Sequence, residues 1–421
     1  MLTTRPVIGL VAYLGILLIY PDYLRISVGT IDISASRIIV CVLLLRCLVS
    51  TPLLRRFRWQ LLDTLVVVSM IIYAATLAFT TPFDIWLENR GGFVMDTLFA
   101  YLAVRLIVVD RFAFLTMLKA LALITLLLAV HAVIESLTGW SLYAGLGKYC
   151  PWAPLKGAIH QMRYGLNRAM GPFGNTIMFG LYFATMVPIL WLLRHEYRPW
   201  NRLCHLATAA AVLGVVATVS SGSYVALAVV LICLGLEHAK HLVRPLLVIL
   251  ILGCVTLEVL SNRHFYDVVL DRTGMDGANA WYRSELFEVA IRKLPEYWTV
   301  GYGLRDPGWG PLIDGRNRSD GVNDYVVHTV LYGAFGVAAF VAMLVSAMRS
   351  VVRAHRATRN AWIRSCAWSL GSSVTALMVA FFGVSLFGQM VSVLYVVLGL
   401  HGAMGAWVAR EEAPSTRFVG I

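Results

Sequence analysis

Long apolar runs separated by short basic or glycine-rich connections set the pattern of this chain. Twelve runs stand out, at 7–20, 33–49, 61–79, 92–109, 115–137, 175–193, 206–219, 224–236, 245–260, 325–348, 368–382 and 387–408. About 20 apolar residues cross a bilayer as a helix, and somewhat fewer suffice between interfacial flanks. The pattern predicts an all-α polytopic membrane protein of about 12 transmembrane helices, folded as a single membrane domain over 1–421. The runs at 206–219 and 224–236 are short and nearly continuous. Arg202 before them and Lys240 and Arg244 after them belong on one side, so the pair reads as a hairpin turning at "SSGS", 220–223. The run at 7–20 ends at Tyr-Pro-Asp rather than at small residues, and reads as the first membrane helix, not a cleaved signal.

Orientation follows from the basic residues. Arg46, Arg55, Arg56 and Arg58, then Arg194, Arg198 and Arg202, then Arg349, Arg353, Arg356, Arg359 and Arg364 fall in connections of one parity, together with Arg5 and Arg410. That side is expected to be cytoplasmic, with both termini on it. The opposite face receives the two long connections, 138–174 and 261–324, the second preceding the tenth span. Long loops in an otherwise economical chain are candidate functional elements. In the larger one, "NAWYRSELFEVAIRKLPEYW" (279–298) places Trp281, Leu286, Phe287, Ala290, Ile291 and Leu294 at helical spacing, and Pro295 ends the run. This predicts an amphipathic helix, 279–294, at the outer membrane surface, with Arg283, Glu288 and Arg292 on its polar side. The glycine-rich "VGYGLRDPGWGP" (300–311) that follows is a turn able to bring backbone close to a ligand.

Composition agrees and excludes several classes. Apolar residues make up 59% and charged residues 14%, against roughly 45–50% and 25% in a soluble domain. The net charge of +12 comes from arginines clustered between apolar runs, where they orient a membrane protein rather than bind nucleic acid. Of seven cysteines, Cys41, Cys47, Cys233, Cys254 and Cys366 lie inside apolar stretches, and no CxxC or His/Cys ligand spacing occurs. Neither a disulfide framework nor a metal site is indicated.

Two polar groupings break the pattern. Lys156, Arg163 and Arg168 put positive charge on the side where the orientation rule disfavours it. An anionic ligand gives such cations a reason, and pairing with acidic residues of the larger loop is the structural alternative. The second grouping is "SDGVNDYVVHTVLYGAFG" (319–336), where Asp320, Asn323, Asp324 and His328 sit at the point where a loop becomes a membrane-grade helix.

Three stretches, "RAMGPFGN" (168–175), "WYRSELFEVAIRKLPEYWTVGYG" (281–303) and "VNDYVVHTVLYGAFG" (322–336), together with the span plan, resemble the bacterial O-antigen ligase and O-antigen or exopolysaccharide polymerase superfamily. In the last stretch Asn323, Tyr325, Gly333 and Gly336 match that family's HN-x-Y…G-x-x-G pattern, but Val322 stands where ligases carry histidine. The turn between the seventh and eighth spans, "SSGSY", lacks the arginine often found there. His328 lies six positions after Val322, about 120° around a helix, and does not substitute for the missing histidine.

The resemblance implies a C-type glycosyltransferase architecture and transfer of sugar from a polyprenyl-diphosphate-linked oligosaccharide to a glycan acceptor. It places the active site on the outer face of the bacterial inner membrane. It implies no metal or cofactor, and flippase and chain-length-regulating proteins as possible partners. Arginine suits a departing diphosphate, because its fork binds phosphate oxygens bidentately and stays charged when desolvated. Arg168 and Arg283 are the first candidates, with Arg272 and Arg163 beside them. Asp320, Asn323 and Asp324 are candidate proton acceptors, with Tyr325 and His328 near the substrate. For Asp320 and Asn323 the competing reading is N-capping of the tenth helix. The missing histidine favours a polymerase of repeat units. A ligase acting on a finished glycan, and a transporter or flippase using Asp96, Arg105 and Glu135 within the membrane, are the alternatives.

Reporter fusions at Arg56, Arg198 and Arg356 are expected to behave as cytoplasmic, and fusions near Lys156 and Asp306 as exported. An exported signal at Arg356 would reverse the assignment of faces.

Overall fold

A computed structural model of the chain describes residues 5–28, 31–149, 162–260, 277–313, 315 and 321–412. It is mostly helical, with two small antiparallel hairpins, Arg25–Val28 with Ile31–Ser34 and Met162–Arg163 with Leu166–Asn167. Each apolar run falls in a helix. In chain order these are α1 (Pro6–Ile19), α2 (Ala35–Val49), α3 (Leu61–Ala78), α4 (Phe83–Val94, continued through a π-helical turn Met95–Phe99 into Ala100–Ile107), α5 (Arg111–Thr138), α6 (Thr176–Leu190), α7 (Arg198–Ala217), α8 (Ser221–Leu236), α9 (Val243–Leu260), α10 (Asp324–Ala357), α11 (Ala361–Ala380) and α12 (Gln389–Glu412). Among the described residues, seven helices are long and apolar enough to cross a membrane: α3, α5, α6, α7, α9, α10 and α12. The chain is a helical, membrane-embedded protein.

The core is built around α6, in which every residue from Met178 to Leu190 is buried. α7, α8 and α11 pack against it, while α3 lies along α10 and α12 along α4. Close approach is possible because Gly180 faces the α7–α8 turn: a Cβ there would sit 2.2 Å from Ser223 Oγ. Small residues at helix crossings serve this purpose in membranes, where apolar area alone gives no preference for a protein neighbour over lipid. α9 shows the other side of that rule. None of its side chains is buried, and hydrocarbon satisfies them as well as a packed core.

Charges inside the bundle are neutralised. Arg105 and Asp63, both almost fully buried, form a two-point ion pair with Nε–Oδ1 at 2.9 Å and Nη2–Oδ2 at 3.1 Å, and Tyr101 donates to the same carboxylate at 2.6 Å. Arg37 forks onto Asp96, which lies in the π-helical turn, at 3.0 and 2.6 Å. Glu135 accepts from the backbone N–H groups of Met170 and Gly171 at 3.2 and 3.0 Å. The membrane charges that kept a transport pathway open in the sequence therefore carry structural bonds.

The amphipathic helix of the larger connection runs over Gly277–Tyr297, three residues beyond the predicted end, because Pro295 lacks only a donor and the turn continues around it. Its buried face is Tyr282, Leu286, Val289, Ala290 and Tyr297, packed with Trp309 and Val326. Trp281, Ile291 and Leu294, expected on that face, are exposed instead. The helix thus carries two apolar faces, one toward α10 and one outward.

α10 is broken at Gly333, whose φ of 68° and ψ of −167° are not helical. The turn after the outer helix fills the break. The Ala334 N–H, which a regular helix would aim at the Val330 carbonyl, donates to Trp298 O at 2.6 Å, and the freed Val330 carbonyl accepts from Tyr302 N at 2.7 Å. One helical hydrogen bond is thereby exchanged for two bonds to the turn, so the Ala334 N–H and the Val330 carbonyl both keep a partner. Part of the glycine-rich turn approaches this break. A Cβ on Gly333 would lie 2.1 Å from Thr299 O, and one on Gly301 2.5 Å from Val330 O.

Gly333→Ala should therefore destabilise by about 2–4 kcal/mol, from positive φ plus backbone overlap. Gly15→Ala in α1, where a Cβ meets nothing within 4 Å, serves as the neutral control. Unfolding by SDS in mixed micelles measures both, and equal stabilities would refute the wedge.

Candidate functional site

The first outer connection is pinned where it carries its arginines. A two-residue turn with positive φ at Tyr164 (53°) and Gly165 (76°) closes the Met162–Asn167 hairpin and leaves Arg163 at its tip. Asn167 donates to Ser136 O at 3.3 Å, Glu135 holds Met170 and Gly171, and Ala169 N donates to Ala217 O at 3.1 Å. Arg168 lies between these anchors and donates from Nη2 to Thr176 Oγ1 at 2.6 Å. Asn175 caps α6 there, accepting from Ile177 N and Met178 N. Arg168 is thus fixed beside the N-terminus of α6, whose partial positive charge adds to its own.

Arg283 comes from the other long connection. The packing of Tyr282 and Leu286 on Val326 holds it near the start of α10. Burial, and then the neighbouring Arg163 guanidinium, pushes Arg283 below the usual arginine range. The same two causes push Arg168 down to about 10. Arg163 thus acts on guanidinium groups from both long connections, Arg168 five residues on and Arg283 far along the chain. Among the described residues, Arg283 makes no hydrogen bond or ion pair. A depressed arginine pKa means that the charged form disfavours the folded state throughout neutral pH, and that the penalty fades only above about 10. A bound anion relieves both the burial and the repulsion.

The polar residues at the start of α10 have mostly internal roles. Asn323 is its N-cap: Oδ1 accepts from Val326 N at 3.1 Å and Nδ2 donates to Phe382 O at 3.1 Å. Capping is thus the one of its two readings that the geometry fits, and its amide is engaged at both ends. Asp324 is buried, its N–H donates to Phe381 O at 2.9 Å and its Oδ1 accepts from Leu386 N at 3.1 Å, which ties α10 to the α11–α12 connection. Tyr325 donates to Met378 O at 2.9 Å. His328 pairs its Nδ1 with Asp324 O at 2.8 Å and stacks on Phe340 with ring centroids 4.0 Å apart, so it is committed to packing. Val322, in the histidine position of ligases, packs with the outer helix cluster. Asp320, Arg272 and Lys156 lie outside the described residues.

Sequence reasoning passed over Arg90. It is buried at 6% exposure, donates from Nη1 to Tyr332 Oη at 3.1 Å and lies 4.5 Å over the Phe93 ring, while Tyr332 stacks on Tyr73 at 4.4 Å. Arg90 therefore clamps the residue just before the α10 break. The cue used for Arg168, a cation near the outer end of a span, applied to Arg90 equally. No family model matches the chain, and no curated protein matches it.

Inorganic pyrophosphate should raise the thermal midpoint of the purified protein by a few degrees, as any ligand of the folded state does. Arg168→Ala and Arg283→Ala should each lose most of that rise. Arg163→Ala, which removes repulsion from the other two, should leave the midpoint without anion unchanged or higher. A full rise in all three variants would show that the anion binds elsewhere.

Proposed function

We propose that the protein is a membrane glycosyltransferase of the O-antigen ligase and polymerase type, joining repeat units of a surface polysaccharide at the outer face of a bacterial inner membrane. In the reaction, the acceptor hydroxyl oxygen bonds to the anomeric carbon of the donor glycan. The bond from that carbon to the diphosphate breaks, the diphosphate leaves on its polyprenyl carrier with the electron pair, and the hydroxyl proton passes to a base. The coupling of Arg163, Arg168 and Arg283 in one partly desolvated cluster carries this reading. Cations held apart from water stabilise charge that develops on a leaving diphosphate far more than cations in bulk solvent.

The internal bonds of Asn323 and Asp324 leave Asp320 as the candidate base. A strong leaving group asks little of it. The absence of histidine at Val322 favours the polymerase over the ligase. One observation favours transport instead, the discontinuous helix α10, since broken helices recur at transporter sites. Its freed backbone groups are occupied by the Trp298–Tyr302 turn, however, so they are not available to a substrate.

Deletion of the protein should leave carrier or final acceptor bearing a single repeat unit, because units are still built and exported while their joining stops. Asp320→Asn should reproduce that phenotype at normal protein level, and Arg168→Lys should rescue poorly because an ammonium makes no planar two-point contact. Long chains stranded on the carrier would identify a ligase, and unexported units a transporter. A normal ladder from Asp320→Asn would remove Asp320 from the mechanism.

A further inference from the structure

The opposite end of α10 carries a second binding feature, independent of the proposed reaction. A groove of about 600 Å³ runs along the helix, lined by Val345, Met348, Val352, Arg349, Arg353 and Arg356, and reaches Ala357 and Met378. Its chemistry is ordered along its length. Val345 and Met348 come first, and Met378 belongs to the same end, because its carbonyl accepts from Tyr325 Oη and Thr375, one turn before it, contacts Met348. The arginines follow at i, i+4 and i+7, on one stripe of the helix. From Val345 to Ala357 the groove is about 18 Å long at 1.5 Å per residue, close to the roughly 15 Å of one leaflet's hydrocarbon.

Two arginines near this face are matched. Arg111 pairs with Glu196 at 2.9 Å and Arg194 with Glu237 at 2.9 Å. Arg349, Arg353 and Arg356 are exposed and make no ion pair or hydrogen bond among the described residues. Orientation alone asks only for positive charge somewhere in the connection between α10 and α11. It does not ask for three guanidinium groups on one stripe at the shallow end of an apolar groove.

We propose that this groove is a site for an anionic phospholipid of the cytoplasmic-side leaflet. An acyl chain lies against Val345, Met348 and Met378, and the phosphate is held by Arg349, Arg353 and Arg356. The order of the lining matches the order of the ligand, with the tail deep and the charge at the surface. Guanidinium forks bind phosphate oxygens in pairs, and the low dielectric beside the groove strengthens them. Bound there, the lipid would brace α10 against α11 at the end of the helix opposite the break.

Native mass spectrometry of the purified full chain, titrated with phosphatidylglycerol or phosphatidylcholine, tests the site. Wild type should retain phosphatidylglycerol at least about tenfold more strongly than phosphatidylcholine. The triple variant Arg349→Gln, Arg353→Gln, Arg356→Gln should lose that preference, and the triple Arg→Lys variant, which keeps the charge and guards against misfolding, should keep part of it. Val345→Trp should weaken phosphatidylglycerol with the arginines intact, because it fills the tail end. Equal retention of the two lipids, an unchanged preference in the glutamine variant, or indifference to Val345→Trp would overturn the proposal. So would displacement of the lipid by free phosphate, or a dimer of this chain occupying the groove.

Discussion

The exchange of one hydrogen bond at Gly333 attaches the larger connection to the membrane bundle. A membrane-embedded backbone cannot leave polar groups unpaired, so a break in α10 needs a partner that brings both a donor and an acceptor. The Trp298–Tyr302 turn brings both, through Trp298 O and Tyr302 N. In doing so it fixes where the outer helix ends, and with it the helix that carries Arg283. Arg90 closes the arrangement from α4 by holding Tyr332, the residue before the break. The long connection is thus attached to the membrane bundle at a defined level, although its sequence reads as a loop.

The second organising contrast is between charges closed in opposite-charge or backbone pairs and charges set beside like charge. Arg105 with Asp63, Arg37 with Asp96, and Glu135 with two backbone donors are closed systems, and removing one partner of such a pair leaves a buried charge that costs several kcal/mol. The cluster of Arg163, Arg168 and Arg283 is different. Arg163 lowers both of the others, and the N-terminus of α6 adds to the same positive field. A folded protein gains no stability from such an arrangement. In the proposed reaction an anion offsets that cost, while the Glu135 carboxylate anchors the backbone that carries Arg168.

Much of this was legible in the sequence because membranes simplify the code. Each apolar run falls in a helix, seven of the helices being long and apolar enough to cross a membrane among the described residues, and the α7–α8 pair turns between Ala217 and Ser221, slightly before the expected 220–223. What failed had physical causes. Periodicity put Trp281, Leu286, Ile291 and Leu294 on one apolar side of the helix at a membrane surface, but it did not foresee the face that packs on α10, which Tyr282 and Val289 share with Leu286. The glycines of "VGYG" and "LYGAFG" were visible as special positions, yet their purpose is a pairing between two segments, which no local pattern encodes. Arg163 stood out in sequence as a cation on the disfavoured side, but its nearness to Arg283 of the other long connection is a product of the fold that no local pattern encodes.

The internal bonds of Asn323 and Asp324 shift the chemical weight of the proposed reaction toward the leaving group. A base within the first turn of α10 would need a carboxylate free to turn toward the acceptor, and Asp324 is held by the Leu386 N–H inside the bundle. The departing diphosphate asks for something else, fixed positive charge that need not reorganise as the bond breaks. Arg168, pinned by Thr176 and by the anchored backbone around it, meets that demand better than a flexible surface cation. In this reading the tenth helix contributes shape, the arginines contribute electrostatics, and the break at Gly333 keeps the two in register.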